Sequence, residues 1–186
     1  MLPKTRDLAY AAVFTALIAA STVLTRFLPA AVVPYSLQTL LVFLAGGVLG
    51  RRMAPLSMMA YILLGLVGIP IFASPPYGGP GYFLSPTFGF LIGFVLTAWT
   101  VGFCRERWGN TLIAHMLSIA TGIAVMYLIG LPYLFVILNF YLGQGVDVGY
   151  VIKIGFLPFI GLDLVKASVA AFISYHVRKN LNLNQV

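Results

Sequence analysis

The sequence is short of charge. Only 8% of its 186 residues are Asp, Glu, Lys or Arg, whereas a soluble domain needs roughly 25% to keep its surface wetted. With 61% hydrophobic residues and a mean hydropathy of +1.01, the chain must lie in a lipid bilayer. Its length suits a single domain, residues 1–186. Cysteine is nearly absent, and Cys104 alone excludes an intramolecular disulfide or a cysteine metal cluster. Four acidic residues leave little room for a divalent-metal cage or paired catalytic carboxylates, so no metal is expected. Gly-x-x-x-x-Gly-Lys-Ser/Thr is missing, so no P-loop hydrolyses nucleotide; Gly-x-Ser-x-Gly and His-Glu-x-x-His are missing too. These absences argue against an enzyme and against a bound cofactor.

What remains is a succession of apolar runs. The first, from about Leu8 to Leu28, is long enough to span and lacks a signal-peptide cleavage pattern, so it is expected to be retained. It carries Ala12, Ala16 and Ala20 on one face, a stripe for close helix contact either within the protein or with a partner. Polar residues in Pro34-Tyr35-Ser36-Leu37-Gln38-Thr39 precede the second run, which ends at Gly50-Arg51-Arg52. The third, Met53 to Val67, is short and contains Pro55 and Gly65. From Gly68 to Gly81 the chain is rich in Gly and Pro yet uncharged, so this loop is expected to fold back against protein.

Ser85-Pro86-Thr87-Phe88-Gly89 opens the fourth run, closed by Arg105-Glu106-Arg107. The fifth covers about Asn110 to Ile129. The aromatic stretch beyond it, to Leu142, reads as a continuation, an interfacial helix or a re-entrant piece. Gly143 to Gly155 reads as loop. The sixth run starts at Pro158 and reaches about Tyr175, before His176, Arg178 and Lys179. His115 reads as a hydrogen-bonded packing residue and His176 as a helix-end cation. The expected fold is an all-α membrane protein, a compact bundle of six transmembrane helices.

The net charge of +7 does not indicate nucleic acid, because the basic residues sit at the ends of apolar runs. Six spans put both termini on one side. Lys4, Arg6, Arg51, Arg52, Arg105, Arg107, Arg178 and Lys179, eight of the eleven basic residues, fall on that side. The positive-inside rule makes it the cytoplasmic side of a multi-pass protein of the cell membrane.

Only Asp163 and Lys166 are charged within the sixth span. Spaced i and i+3, they share a helix face. Charge at membrane depth is costly and commonly marks a site, whereas a purely structural pair would be replaceable by apolar residues. From Arg178 back to Lys166 is roughly 18 Å at 1.5 Å per residue, which places the pair in the outer half of the bilayer.

Five stretches then resemble the BioY family, the biotin-capturing S components of energy-coupling-factor (ECF) transporters. They are Val33-Pro34-Tyr35-Ser36-Leu37-Gln38-Thr39-Leu40, Leu44–Gly50, Leu63–Ala73, Ser85–Phe94 and the Asp163…Lys166 pair. Ser85, Phe88 and Phe90 stand where the family's motif reads Gly, Gly and Tyr, and Gly161 is shifted by one from its usual place before the Asp. The resemblance implies six helices binding biotin on the outer side, with Asp163, Lys166, Gln38, Ser36, Tyr35, Thr87 and Phe72 as candidate binding residues. Asp163 is the candidate acceptor for a ureido N–H, and Lys166 the donor to the ureido oxygen or the tail carboxylate. It also implies a membrane scaffold subunit docked on Ala12, Ala16 and Ala20, and two ATP-binding cassette ATPases that hydrolyse the ATP this chain cannot. An S component for another vitamin and an intramembrane enzyme are the alternatives.

Overall fold

The computed structural model describes residues 5–26 and 37–180. These residues form helices and connecting loops, with no strand among them. Helix α1 is Thr5–Thr25, α2 Gln38–Leu66, α3 Phe88–Trp108, α4 Leu112–Val136, α5 Val148–Gly155 and α6 Leu157–Asn180. A 3₁₀ turn at Pro80–Leu84 precedes α3, and α4 runs on into a π-helical turn at Ile137–Tyr141. Five helical runs are long and apolar enough to cross a membrane, where the sequence leads one to expect six.

The difference lies in α2. Its 29 residues are interrupted at Gly50, with φ 78° and ψ −179°, a left-handed conformation that glycine adopts without steric cost. Gln38 Nε2 donates to Tyr61 Oη at 2.8 Å. On a straight helix those residues would be roughly 35 Å apart, so the two arms must fold back as an antiparallel hairpin. The second and third apolar runs are these two arms. Glu106 of α3 braces the hinge. Its carboxylate accepts the Arg51 amide at 3.0 Å and pairs with the Arg51 guanidinium at 3.1 Å, capping the start of the second arm.

Without a hydrophobic force between helices in lipid, the bundle depends on close approach and interhelical hydrogen bonds. Gly46 lets α2 meet Val101 and the Ala98 carbonyl of α3, and Gly93 meets the Met126 carbonyl of α4, each with no space for a Cβ of ordinary contact. Thr15 Oγ1 donates to the Ser57 carbonyl and Thr97 Oγ1 to the Gly122 carbonyl, both at 3.0 Å. Helix α6 packs against α2 and α4. His115 lies buried between Ser174 and Asn110, at 2.7 and 2.9 Å, in keeping with a packing role.

The loop after α2 folds inward, as its lack of charge suggests. Phe72 is fully buried, edge-on to Tyr61 and tilted against Tyr82 with centroids 4.2 Å apart. The segment Gly143 to Gly155 is not loop throughout, contrary to expectation. Asp147 accepts the Tyr150 amide at 2.9 Å and so caps the two-turn helix α5, whose Val151 is buried. The aromatic stretch before it continues α4 through Pro132 into the π turn.

Candidate binding site

Asp163 and Lys166 lie one helical turn apart on α6, and the fold brings two more elements to them. Gln38 and Thr39 come from the first turn of α2, and Tyr127 from the middle of α4. Thr39 Oγ1 donates to Asp163 Oδ1 at 2.9 Å, and Tyr127 Oη donates to Oδ2 at 2.7 Å. Lys166 Nζ donates to Thr39 Oγ1 at 3.1 Å and to Asp163 Oδ1 at 3.3 Å. Thr39 thus stands between acid and base, accepting from one and donating to the other.

Asp163 is 3% exposed, so its charge is offset by these donors rather than by water. A carboxylate has about four lone-pair positions. Three donors occupy it among the described residues, which leaves Oδ2 able to accept one further hydrogen bond.

The cluster forms the polar end of a cavity of about 370 Å³, within the roughly 300–1,000 Å³ of small-molecule pockets. Phe90, Tyr82, Tyr127, Phe159 and Met126 provide its flat or polarisable walls. At the rim Tyr82, Ser74 and Thr87 share hydroxyl hydrogen bonds, with Tyr82 Oη 2.8 Å from Ser74 Oγ and 3.1 Å from Thr87 Oγ1. The whole suits a flat, largely apolar molecule with a few polar atoms at one end.

Of the residues singled out from sequence, Asp163, Lys166, Gln38 and Thr87 line this cavity together. Phe72 does not line it; its ring lies against Tyr82, which does. Tyr35 and Ser36 lie outside the described residues. Phe88 points into an aromatic cluster with Phe83 and Tyr133, so the departure that reaches the cavity is Phe90. Ala12, Ala16 and Ala20 do not line the cavity and are exposed along one face of α1, while Ala11, Thr15 and Ile18 turn inward.

Sequence reasoning overlooks Tyr127 and undervalues Thr39. Tyr127 is one of ten tyrosines, set in an apolar run with no polar neighbour to mark it. Thr39 sits in the flagged Ser36–Thr39 stretch, and only the approach of α6 shows that its hydroxyl bridges the pair.

A family model described as the BioY family matches residues 1–183 of the chain. A biotin transporter BioY of Thermotoga maritima is 36% identical over 174 residues, 94% of this chain and 96% of that protein. A probable biotin transporter BioY of Bacillus subtilis is 33% identical over 184 residues, covering 97% and 95%. The fold is similar to a crystal structure of the S-component for biotin from an ECF-type ABC transporter. The TM-score is 0.75 at 25% identity, over 94% of this chain and 91% of that one.

Proposed function

The chain belongs to the BioY family, and on that premise we propose that it is a biotin-binding S component, capturing the vitamin in the Asp163–Lys166 cavity for import. The observation that carries the reading is the polar cluster of Asp163, Lys166, Thr39 and Tyr127 at one end of an aromatic cavity. Biotin offers two ureido N–H donors, a carbonyl acceptor, an apolar sulfur ring and a tail carboxylate. Asp163 Oδ2 accepts a ureido N–H, the aromatic walls hold the bicyclic ring, and Lys166 donates to the ureido oxygen or to the carboxylate. The family and its relatives are transporters, not enzymes, which removes the intramembrane-enzyme alternative.

The protein spans the cell membrane six times, through α1, the two arms of α2, α3, α4 and α6. Two findings support this arrangement: the hairpin at Gly50, and the clustering of Arg51, Arg105 and Arg178 at the end opposite the cavity. With both termini cytoplasmic, the cavity faces outward. The exposed Ala12, Ala16 and Ala20 face docks on a membrane scaffold subunit, and two ATP-binding cassette ATPases drive release.

Uptake of radiolabelled biotin by cells expressing this chain, with and without coupling subunits, tests the proposal as a whole. Accumulation of biotin above control is expected; none in either case would refute it. Two variants probe its parts. Tyr127→Phe removes one donor to Asp163, and a net hydrogen bond of about 1 kcal/mol corresponds to about fivefold weaker biotin binding by titration. Ala16→Trp fills the exposed α1 stripe and is expected to abolish co-purification with the scaffold while biotin affinity stays within about twofold, since the cavity is untouched.

A second reading, an S component for another vitamin, is favoured by one observation. Phe90 lines the cavity where the family motif carries Tyr. A ligand panel in a thermal-shift assay separates the two, with biotin giving the largest shift if the first reading holds.

A further inference from the structure

The charged end of the cavity is already balanced without a ligand. Lys166 Nζ lies 3.3 Å from Asp163 Oδ1, and Thr39 Oγ1 bridges the two, donating to Asp163 at 2.9 Å and accepting from Lys166 at 3.1 Å. Such a pair is neutral as a whole. A cyclic urea is neutral too, and it presents an N–H donor and a carbonyl acceptor side by side on one edge, matching acid beside base. A carboxylate presents two acceptors and a full negative charge. Held by Lys166, it would also stand beside Asp163, and two carboxylates sharing one cation disfavour each other's charge.

The rest of the cavity offers a carboxylate no cation. Among the described residues Lys166 is the only Lys or Arg in the lining. The proposed topology puts two other basic residues on the cavity's side of the membrane. Arg26 is committed to the Pro70 and Phe72 carbonyls and to the Tyr77 ring, and Lys153 is exposed on α5 and is not part of the lining. Residues 27–36 contain no Lys, Arg or His. Away from the pair the lining consists of Ala73, Tyr82, Pro86 and Thr87, with hydroxyls as its polar groups. Thr87 Oγ1 lies 3.1 Å from Tyr82 Oη, 3.3 Å from Ser74 Oγ and 3.0 Å from Ser85 Oγ. Ser85 adds a hydroxyl where the family's motif carries Gly. Hydroxyls both donate and accept, so they serve a neutral amide as readily as a carboxylate. Asp163 and Gln38 are buried while Ala73 and Thr87 are exposed, so the cavity is closed at its charged end and open at its hydroxyl rim.

We propose that Lys166 is committed to the ureido oxygen, that the ligand's tail leaves through the hydroxyl rim, and that the protein therefore also takes biotin amides, in which the tail carboxyl is joined to an amine. The substrate class is a biotinyl amide whose substituent extends past Thr87, biotinyl-lysine among them. This deepens the biotin reading above and rests on it.

The test is displacement of radiolabelled biotin from the full chain in lipid nanodiscs by unlabelled biotin, biotinamide and biotinyl-lysine, on wild type and Lys166→Met. A cation on the tail carboxylate would make the amides about 10- to 150-fold weaker than biotin. Instead both amides are expected to compete within about fivefold of biotin, since only hydroxyls meet the tail. Lys166→Met is expected to weaken biotin and biotinamide by the same factor, because the ureido group is common to both. Biotinamide weaker by more than about fivefold on wild type, or a loss in K166M that falls on biotin and spares biotinamide, would overturn the proposal. Biotinamide competing while biotinyl-lysine does not would overturn the open rim. Should K166M fail to fold, the wild-type comparison alone decides. Wild-type protein that holds no radiolabelled biotin would instead bring down the functional reading, a result distinct from biotin bound and amides refused.

Discussion

Asp163→Asn is expected to weaken biotin binding at least tenfold in equilibrium titrations of the purified protein. The amide keeps the shape of the carboxyl but loses the negative charge, so the bond to a ureido N–H drops from charge-assisted to neutral. A hydrogen bond to a charged group is worth about 1.5–3 kcal/mol, or about 10- to 150-fold in affinity. The amide also turns one acceptor oxygen into a donor nitrogen, which conflicts with Thr39 or Tyr127, both of which donate to the native carboxylate. Lys166 keeps its bond to Thr39 but loses the carboxylate charge opposite it in a largely buried place, which costs stability apart from any ligand contact. The double change Asp163→Asn with Lys166→Met separates these effects. It removes the uncompensated positive charge, so thermal stability should recover toward wild type while binding stays weak. Binding that recovers together with stability would show that the pair supports the helix and does not touch the ligand.

The largest structural effect is expected at Gly102. A Cβ there would stand 2.5 Å from the Gly50 carbonyl carbon and 2.8 Å from the Arg51 Cα, backbone atoms that cannot rotate aside. Gly102→Val therefore drives α3 away from the hinge of α2 and breaks the Glu106 cap on the Arg51 amide. Overpacking costs about 1–3 kcal/mol and loss of the cap about 1 kcal/mol more. At about 3 kcal/mol overall, the melting temperature in detergent should fall by about 10 °C. Gly81→Ala is the control, because a Cβ there meets no atom within 4 Å. An unfolding curve for G102V that overlays the wild type would mean that the hinge does not pack as described.

Much of this organisation is legible in the residues. Asp163 and Lys166 stand out because nothing else in their span is charged, and charge in lipid requires a reason. Gln38 and Thr87 are marked by polar stretches beside prolines at the starts of apolar runs. The Gly50-Arg51-Arg52 run signals the turn between the two arms of α2, and the chain leaves helical conformation there at Gly50. Other features depend on tertiary placement. Tyr127 gains its role only when α4 and α6 come together, and Phe72 loses its expected place because Tyr82 stands between it and the cavity. Helix α5 is hidden by Gly143, Gly145 and Gly149, and emerges because Asp147 caps it and Val151 finds a buried seat.

The central claim is that this cavity binds biotin, and calorimetric titration of the purified chain with biotin tests it most directly. One molecule per chain, bound with nanomolar to low-micromolar affinity without any partner subunit, is the result expected. Absence of heat and of any thermal shift with biotin, while a different vitamin binds the same preparation, would contradict it.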